Sequence, residues 1–222
     1  MLDRMLYSLT RPLIKVYSRL MLKMDVHWHA ALPEGPKIFA ANHPSCTDPF
    51  LVPILVSHRV SILITENAFN FPLFGHYLRK TGHIPVGPGR GKVVMEAARR
   101  LLDNGRSIAI FPEGTLSPRE GGFRRPRTGA ARLALSTGAP IVPIGIHLVR
   151  NRMWNIKSKI KGKNTSGDWY LRGPYHMTVG TPLYFQGSIE DREFVVSVSE
   201  RIMQSIISLA QQSQMRMQAL QA

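Results

Sequence analysis

Short apolar runs alternate with helical patterns along most of this chain, and this alternation constrains the fold more than any other feature. Such alternation predicts an α/β class fold, with a mixed, largely parallel central sheet flanked by helices. The clearest helical pattern is GKVVMEAARRLLDNG, which has one apolar face and ends at Gly105. A second helical pattern, TGAARLALSTG, ends at Gly138. Six runs read as strands: residues 38–41, 60–65, 83–86, 107–111, 141–146 and 177–180.

The later part of the chain gives weaker signals. Residues 150–176 are basic, polar and aromatic without clear periodicity, so they are interpreted as a long loop. Ser188 and Asp191 resemble a capping box that opens a final helix. We expect one domain over residues 26–212, followed by a frayed polar tail over residues 213–222.

The nine residues NHPSCTDPF, residues 42–50, place His43 five positions ahead of Asp48. Histidine is a base whose pKa lies near 7 without help, and a carboxylate on its far ring nitrogen fixes the tautomer. Five residues on a helix rotate by about 140°, so the two side chains cannot share one helical face. We therefore place His43 in a turn after a strand, bent back onto Asp48, with Asp48 as the N-cap of a helix that starts at Pro49. The alternative is an ordinary loop histidine beside a capping aspartate.

A second block, FPEGTLS at residues 111–117, follows the strand run SIAIF and breaks it at Pro112. Ligands in open α/β sheets gather at the carboxyl ends of strands. Glu113 can accept a hydrogen bond from a substrate hydroxyl there. The backbone N–H groups of Gly114 and Thr115 can face a phosphate or an oxyanion. The alternative for Glu113 is a solvated loop carboxylate.

Four blocks in order resemble the glycerolipid acyltransferases typified by 1-acylglycerol-3-phosphate O-acyltransferase: NHPSCTDPF, GHIPV (residues 82–86), FPEGTLS and APIVPIGI (residues 139–146). The resemblance implies transfer of a fatty acyl chain from acyl-coenzyme A or acyl-carrier protein to the hydroxyl of a lysolipid. It implies His43 and Asp48 as the catalytic residues. It also implies four substrate-binding residues, Asn42, Glu113, Gly114 and Thr115.

Two positions depart from the family pattern. Leu116 stands where an arginine usually follows the third-block threonine, and Gly87-Pro88 stands where Asp-Arg often follows the second block. In the family, the arginines at these two positions are expected to bind the acceptor's phosphate, and this chain lacks both. Candidate replacements are Arg90 with Lys92, or the arginines of the run GGFRRPRTG at residues 121–129, of which Arg124 and Arg127 are chosen, because guanidinium groups bind phosphate in bidentate fashion. The departures leave open the same chemistry on another acceptor, such as an aminolipid, or a non-catalytic lipid-binding protein at a membrane surface.

Lys and Arg number 29 against 14 Asp and Glu, which gives a formal net charge of +15. This charge favours anionic partners such as lipid headgroups, coenzyme A phosphates or an acidic carrier protein. Nucleic-acid binding is supported only by the charge, and a nucleic-acid binder would have no use for the histidine–aspartate pair. We therefore expect no nucleic-acid partner.

The chain has a single cysteine, Cys46, so no internal disulfide is possible. A thiolate nucleophile at Cys46 is disfavoured, since acyl transfer to an alcohol needs no covalent enzyme intermediate. His27 and His29 can share one strand face, but no third ligand is recognisable nearby. We expect neither a metal nor a bound cofactor, with the acyl thioester as co-substrate.

Residues 1–25 are amphipathic and lack the cleavage site of a secretory signal. Pro12 is expected to split the segment, with Thr10 capping the longer second piece. No run reaches the roughly 18 apolar residues of a membrane span. A basic, amphipathic helix favours anionic lipid, so we expect a peripheral protein on the cytoplasmic face of a membrane. The alternative is a stripe that covers the domain's own core; its members are Leu6, Leu9, Leu13, Tyr17, Leu20 and Met24.

Overall fold

A computed structural model describes residues 2–160 and 163–220. Nine strands are described: β1 (Asp25–Trp28), β2 (Ile38–Ala41), β3 (Val60–Thr65), β4 (Ile84–Val86), β5 (Ser107–Ile110), β6 (Ile141–Leu148), β7 (Trp154–Ile160), β8 (Lys163–Trp169) and β9 (Tyr175–Val179). Six α-helices accompany them: α1 (Leu2–Leu20), α2 (Asp48–Leu51), α3 (Pro72–Thr81), α4 (Gly91–Asp103), α5 (Gly129–Thr137) and α6 (Arg192–Ala219).

Seven strands form the central sheet, in the order β1-β9-β6-β2-β5-β3-β4. Every neighbouring pair is parallel except β6 with β9. The α/β fold with a mixed, largely parallel sheet is therefore confirmed. All the residues of β2 and β5 are buried, as expected for parallel strands covered on both faces.

The two faces of the sheet carry two apolar cores, because successive strand residues point to opposite sides. On β2, Phe39 and Ala41 pack in one core, which also takes residues of α1 and α2. Ile38 and Ala40 pack in the other core, with α4, α5 and α6. The central strands β2 and β5 lie between these layers, so their carboxyl ends form a rigid base for loops.

The longest helix, α6, runs closely along β6 and β9. A Cβ added at Gly145 of β6 would lie 2.0 Å from the backbone nitrogen of Ala210, so the close approach requires glycine. The helix begins at Arg192, with the Asp191 carboxylate accepting from the Phe194 N–H. The predicted capping box is wrong in register, since Asp191 is itself the N-cap.

The polar tail predicted from residue 213 is also incorrect over its described part. α6 continues to Ala219, with Ser213 and Met217 buried. The Ser213 hydroxyl donates to the Gly145 carbonyl at 2.9 Å, and Arg216 pairs with Asp25 at 2.8 Å. These contacts hold the last turns against the sheet, so the glutamine content of this segment was a poor guide. Residues 221–222 lie outside the described residues.

The region predicted as a long loop contains a β-hairpin. β7 and β8 pair antiparallel from Trp154 opposite Trp169 to Ile160 opposite Lys163, and together they form a separate two-stranded sheet. The prediction failed because the lysines and polar residues of these strands obscure the alternation that a half-buried strand normally shows. The hairpin reaches the loop after β2, as described below.

The first helix is continuous through Pro12, so the predicted split is also incorrect. Thr10 does not cap a second piece: its hydroxyl lies 3.1 Å from the Tyr77 hydroxyl of α3. Contacts with α2 and α3 stabilise α1 despite the proline. Within residues 2–160 and 163–220, no helix is both long and apolar enough to cross a membrane.

Candidate active site

The site begins where β2 ends, at Asn42. The Asn42 side chain donates to the Ile146 carbonyl at 2.9 Å and accepts from the Ile146 N–H at 2.7 Å, which ties the end of β2 to β6. Asn42 is 1% exposed. It was predicted to bind substrate, but its contacts are structural: it fixes the point at which the chain turns toward His43.

His43 follows directly, and its ring contacts the Asp48 carboxylate. The distance from His43 Nδ1 to Asp48 Oδ2 is 2.9 Å, and the same oxygen accepts from the Ser45 N–H at 2.8 Å. The turn that was predicted to bend His43 back onto Asp48 is present. Asp48 is the first residue of α2 and Thr47 is the N-cap, so the predicted capping role of Asp48 is wrong. The Asp48 side chain is instead turned back into the loop and fully buried.

The other edge of the His43 ring is available. The ring stacks on Phe111 with centroids 4.1 Å apart, and 16% of the side chain is exposed. Nδ1 faces Asp48, so Nε2 is the atom that can reach a substrate; it bonds to none of the described residues. A neutral imidazole held in this tautomer can take a proton at Nε2.

Glu113 locks the two sequence blocks together. Its Oε1 accepts from the His43 N–H at 3.0 Å and from the Ser117 hydroxyl at 2.6 Å, while its Oε2 accepts from the Arg124 N–H at 2.8 Å. The side chain is 3% exposed, so the alternative of a solvated loop carboxylate is wrong. In turn, the Ser117 N–H donates to the His43 carbonyl at 2.7 Å. Glu113 therefore positions the backbone of His43.

The turn after Glu113 requires a glycine. Gly114 has φ +69°, and a Cβ there would lie 2.4 Å from Arg127 Nε. The Gly114 N–H donates to the Phe111 carbonyl at 2.9 Å. It was predicted to face a phosphate or an oxyanion, but in this structure it is already bonded. Thr115 is exposed, and its N–H donates to no group in the described structure, so it retains the predicted capacity.

The candidate arginines are not equivalent. Arg124 lies beside Leu116, which stands where the family usually has arginine. Its Nε donates to the Leu116 carbonyl at 2.8 Å, and the side chain is exposed. Arg127 packs over Gly114. Arg90 pairs instead with Glu66 at 3.9 Å, and none of its recorded contacts reaches the loops around His43.

The β7–β8 hairpin supports the loop between His43 and Asp48. The Cys46 N–H donates to the Asp168 carbonyl at 2.8 Å, and the Thr47 hydroxyl donates to the Tyr170 carbonyl at 3.0 Å. Burial, followed by the charges of Asp48 and Asp168, raises the pKa of the Cys46 thiol to about 11. A thiol with this pKa stays protonated near neutrality, which argues against a Cys46 nucleophile.

Two groups near the pair were missed from the sequence. The Tyr175 hydroxyl on β9 donates to Asp48 Oδ1 at 2.6 Å. Arg150 interacts electrostatically with both Glu113 and Asp48; burial nevertheless lowers its pKa from the usual value. Both lie over 100 residues from Asp48 in sequence, so no local pattern indicated them.

The two histidines considered as metal ligands lie edge to face, with ring centroids 5.5 Å apart: His27 and His29. In the part of the chain that the structure describes, no cluster of three potential metal-ligating side chains is found.

Comparison with known proteins agrees with this geometry. The Acyltransferase family profile matches residues 23–147, which is more than half of the chain and includes all four sequence blocks. The chain belongs to the Acyltransferase family. The resemblance seen in the sequence is thus confirmed.

Named relatives include a 1-acyl-sn-glycerol-3-phosphate acyltransferase of Haemophilus influenzae, 30% identical over 120 residues that cover 52% of this chain and 50% of that protein. A lyso-ornithine lipid O-acyltransferase of Pseudomonas aeruginosa is 30% identical over 135 residues, 59% of this chain and 50% of that protein. The chain therefore spans about half the length of these curated relatives.

Among solved structures, the 1-acyl-sn-glycerophosphate acyltransferase PlsC of Thermotoga maritima superposes with a TM-score of 0.60. The match covers 87% of this chain and 78% of that one, at 22% sequence identity. The likeness establishes the shared fold.

Proposed function

We propose that this protein transfers a fatty acyl chain from a thioester to the hydroxyl of a lysolipid. The observation that carries the proposal is the His43–Asp48 pair, held at 2.9 Å with Nε2 directed away from the carboxylate. An alcohol is a poor nucleophile at neutral pH, so it needs a base of this kind. No serine of the enzyme is required, because the substrate's own hydroxyl takes that place.

In the proposed reaction, His43 Nε2 takes the proton of the acceptor hydroxyl as its oxygen attacks the thioester carbonyl carbon. Asp48 stabilises the imidazolium that forms. The tetrahedral intermediate collapses when the carbon–sulfur bond breaks, and the departing sulfur takes the proton from His43. The products are an ester and a free thiol, and the histidine returns to its neutral form.

The donor is proposed to be acyl-coenzyme A or acyl-carrier protein, since both present a thioester on an anionic carrier that suits a net charge of +15. An aromatic row near the site offers apolar surface for the acyl chain. Phe50 lies 5.8 Å from Phe74 and 6.2 Å from Trp169, as measured between ring centroids. Phe50 is two residues from Asp48, so this surface borders the reacting groups.

For the acceptor, we propose a lysolipid with a phosphate-bearing headgroup, such as 1-acylglycerol-3-phosphate, bound by Arg124. The Arg124 backbone bonds Glu113, which also bonds His43, so two hydrogen bonds separate this arginine from the reacting histidine. Its Nε contact with Leu116 places a guanidinium beside the residue that replaces the family's arginine. An aminolipid acceptor is the second candidate, favoured by Leu116 and by the lyso-ornithine relative.

We also propose that α1 holds the protein on an anionic membrane surface at the cytoplasmic face. Four apolar side chains on this helix are more than half exposed: Leu9, Leu13, Val16 and Leu20. They recur at helical spacing beside two exposed basic residues of the same helix, Lys15 and Arg19, a pattern suited to a lipid headgroup boundary. A lysolipid acceptor resides in such a surface.

The test is an acyl-transfer assay with purified protein in lipid vesicles. Labelled long-chain acyl-coenzyme A or acyl-carrier protein is supplied with a panel of lysolipids, and the products are identified by mass. We expect an ester product from at least one lysolipid, and none from the same lysolipid whose hydroxyl is capped as a methyl ether. If vesicles bind the protein but no acceptor in the panel is acylated, a non-catalytic lipid-binding role replaces this proposal.

A further inference from the structure

The Asp48 carboxylate accepts a third hydrogen bond, from a residue that has no role in the proposed reaction. Oδ2 accepts from His43 Nδ1 and from the Ser45 N–H, whereas Oδ1 accepts from the Tyr175 hydroxyl at 2.6 Å. Tyr175 and Asp48 are both fully buried. Hydrogen bonds from a hydroxyl to a carboxylate are short and about twice as strong as neutral ones.

We propose that Tyr175 is a positioning residue for the His43–Asp48 pair. The Tyr175 hydroxyl holds Oδ1, so that Oδ2 stays aligned with the histidine ring. It also draws negative charge toward the side of the carboxylate that faces away from His43. The catalytic part of this inference rests on the proposed function, whereas the hydrogen-bond geometry does not.

The position of Tyr175 on β9 makes this contact rigid. β9 pairs with β6 in the central sheet, and Tyr175 lies opposite Leu148 in that pairing. The Tyr175 ring packs 6.2 Å from Tyr170, whose hydroxyl donates to the Pro174 carbonyl at 3.0 Å. A donor fixed on the sheet therefore meets the carboxylate of the first residue of α2.

The Tyr175 hydroxyl remains a donor throughout the working pH range. Burial, followed by the negative charge of Asp48, raises its pKa well above the usual value. The other charged or titratable groups recorded around the pair are Glu113, Arg150, Cys46 and Tyr170. None of them is changed by removing the phenolic oxygen, so an effect of that change reports on this one hydrogen bond.

The test compares Tyr175→Phe with Tyr170→Phe, because each loses one buried hydroxyl from the same pair of rings. For Tyr175→Phe we expect kcat to fall about 10- to 100-fold, the range for losing a hydrogen bond to a charged group, with the acceptor's KM within about twofold. More negative charge then faces the imidazolium and stabilises it. The acid limb of the pH–rate profile should move to higher pH by on the order of half a unit. Tyr170→Phe should leave this profile in place.

A second readout does not depend on turnover. Nitrogen-15 NMR of labelled His43 follows the ring's tautomer and titration in wild-type protein and both variants. We expect Tyr175→Phe to shift the titration upward and to weaken the preference for the Nδ1–H tautomer. If wild-type protein shows no acyl transfer, the proposed function fails while this readout still tests Tyr175. An unchanged titration with wild-type kcat, or a loss of rate that matches Tyr170→Phe, would overturn the inference.

Discussion

At the scale of single residues, the site depends on buried polar groups that form hydrogen bonds within the protein. Glu113 accepts from the backbone N–H groups of His43 and Arg124 and from the Ser117 hydroxyl. Asn42 bonds to the backbone N–H and carbonyl of Ile146. Such buried polar groups are costly unless they are satisfied, so these bonds specify one arrangement of the loops. The two blocks of the sequence thus act as one structural unit.

Arg124 gives a prediction about the acceptor. Its backbone makes the bond to Glu113, so Arg124→Ala keeps that bond and removes the guanidinium together with its contact to the Leu116 carbonyl. For a phosphate-bearing lysolipid we expect KM to rise about 10- to 100-fold with kcat nearly unchanged, since one charge-assisted contact is lost. Steady-state kinetics against this acceptor and one without an anionic headgroup measure the effect.

Arg125→Ala is the matched control, as it removes a neighbouring exposed arginine. It should change neither constant by more than about twofold. If KM for the phosphate-bearing acceptor is equal in wild-type protein and Arg124→Ala, Arg124 does not bind the phosphate. That result would favour the aminolipid as acceptor.

Sequence reasoning identified the contact between His43 and Asp48 because it is short-range and has a known chemical purpose. The buried hydrogen bonds of Asn42 and Glu113 were not predicted, for a physical reason. A polar residue in a loop reads as exposed until its tertiary partners are known, and the partner of Asn42 lies 104 residues away. Tyr175 gave no signal at all, because a buried tyrosine in a strand is typical of any core.

At the scale of elements, α1 has one face against the domain and one exposed apolar stripe. Tyr17 donates to the Leu171 carbonyl at 2.7 Å, so part of the predicted stripe is internal. Leu9 and Leu13 are 59% and 69% exposed and remain available to lipid. One side of the helix therefore packs on the domain, and the exposed side is the one proposed to meet the membrane; the side chain of Leu6 lies outside the described residues.

The double variant Leu9→Ser with Leu13→Ser tests the membrane role. Each exposed leucine that enters lipid contributes roughly 1.5–3 kcal/mol, so we expect vesicle affinity to fall at least about 10-fold while Tm changes little. Sedimentation with anionic vesicles measures the affinity. Met215→Ser is the control, because Met215 is 59% exposed on α6, against the opposite face of the sheet. Undiminished binding of the double variant would refute the interfacial role of α1.

The central elements were predictable because buried parallel strands and amphipathic helices have distinct periods in sequence. The β7–β8 hairpin was not predictable, because its polar residues obscure the strand period and its contacts with the loop after β2 cannot be seen in the sequence. Asp168 illustrates this: its carbonyl accepts from Cys46, and its carboxylate pairs with Arg119 at 2.5 Å. Marginal two-stranded ribbons require such outside support.

At the scale of the whole molecule, we expect stability to depend on pH through His83, a partly buried histidine. Burial, followed by the charges of Arg106 and Arg59, lowers the pKa of His83 to about 4. In the unfolded chain, histidine takes a proton near pH 6.5. Between these values the unfolded state binds more protons, so the free energy of unfolding falls as pH falls. The contribution of neutral His83 is complete above about pH 6.5 and is lost by about pH 4.

His83→Asn tests this coupling, since the asparagine oxygen can accept the Ile62 N–H that Nδ1 now accepts at 3.1 Å. Between pH 7 and pH 5 we expect wild-type protein to lose about 2 kcal/mol more unfolding free energy than the variant. Urea denaturation at each pH provides the comparison. His76→Asn changes an exposed histidine and should keep the wild-type slope. Parallel pH curves for wild-type protein and His83→Asn would show that His83 is not the source.

The central claim is that the imidazole of His43 takes the proton of a lipid alcohol. The most direct measurement is kcat/KM of His43→Ala, followed by thiol release from the thioester in the presence of the preferred lysolipid. We predict a loss of about 100- to 10,000-fold, the range for a positioned base, with circular dichroism unchanged. His29→Ala, which removes an exposed histidine directly after the edge strand β1, should match wild-type protein. A His43→Ala variant that turns over within about threefold of wild-type protein would contradict the account.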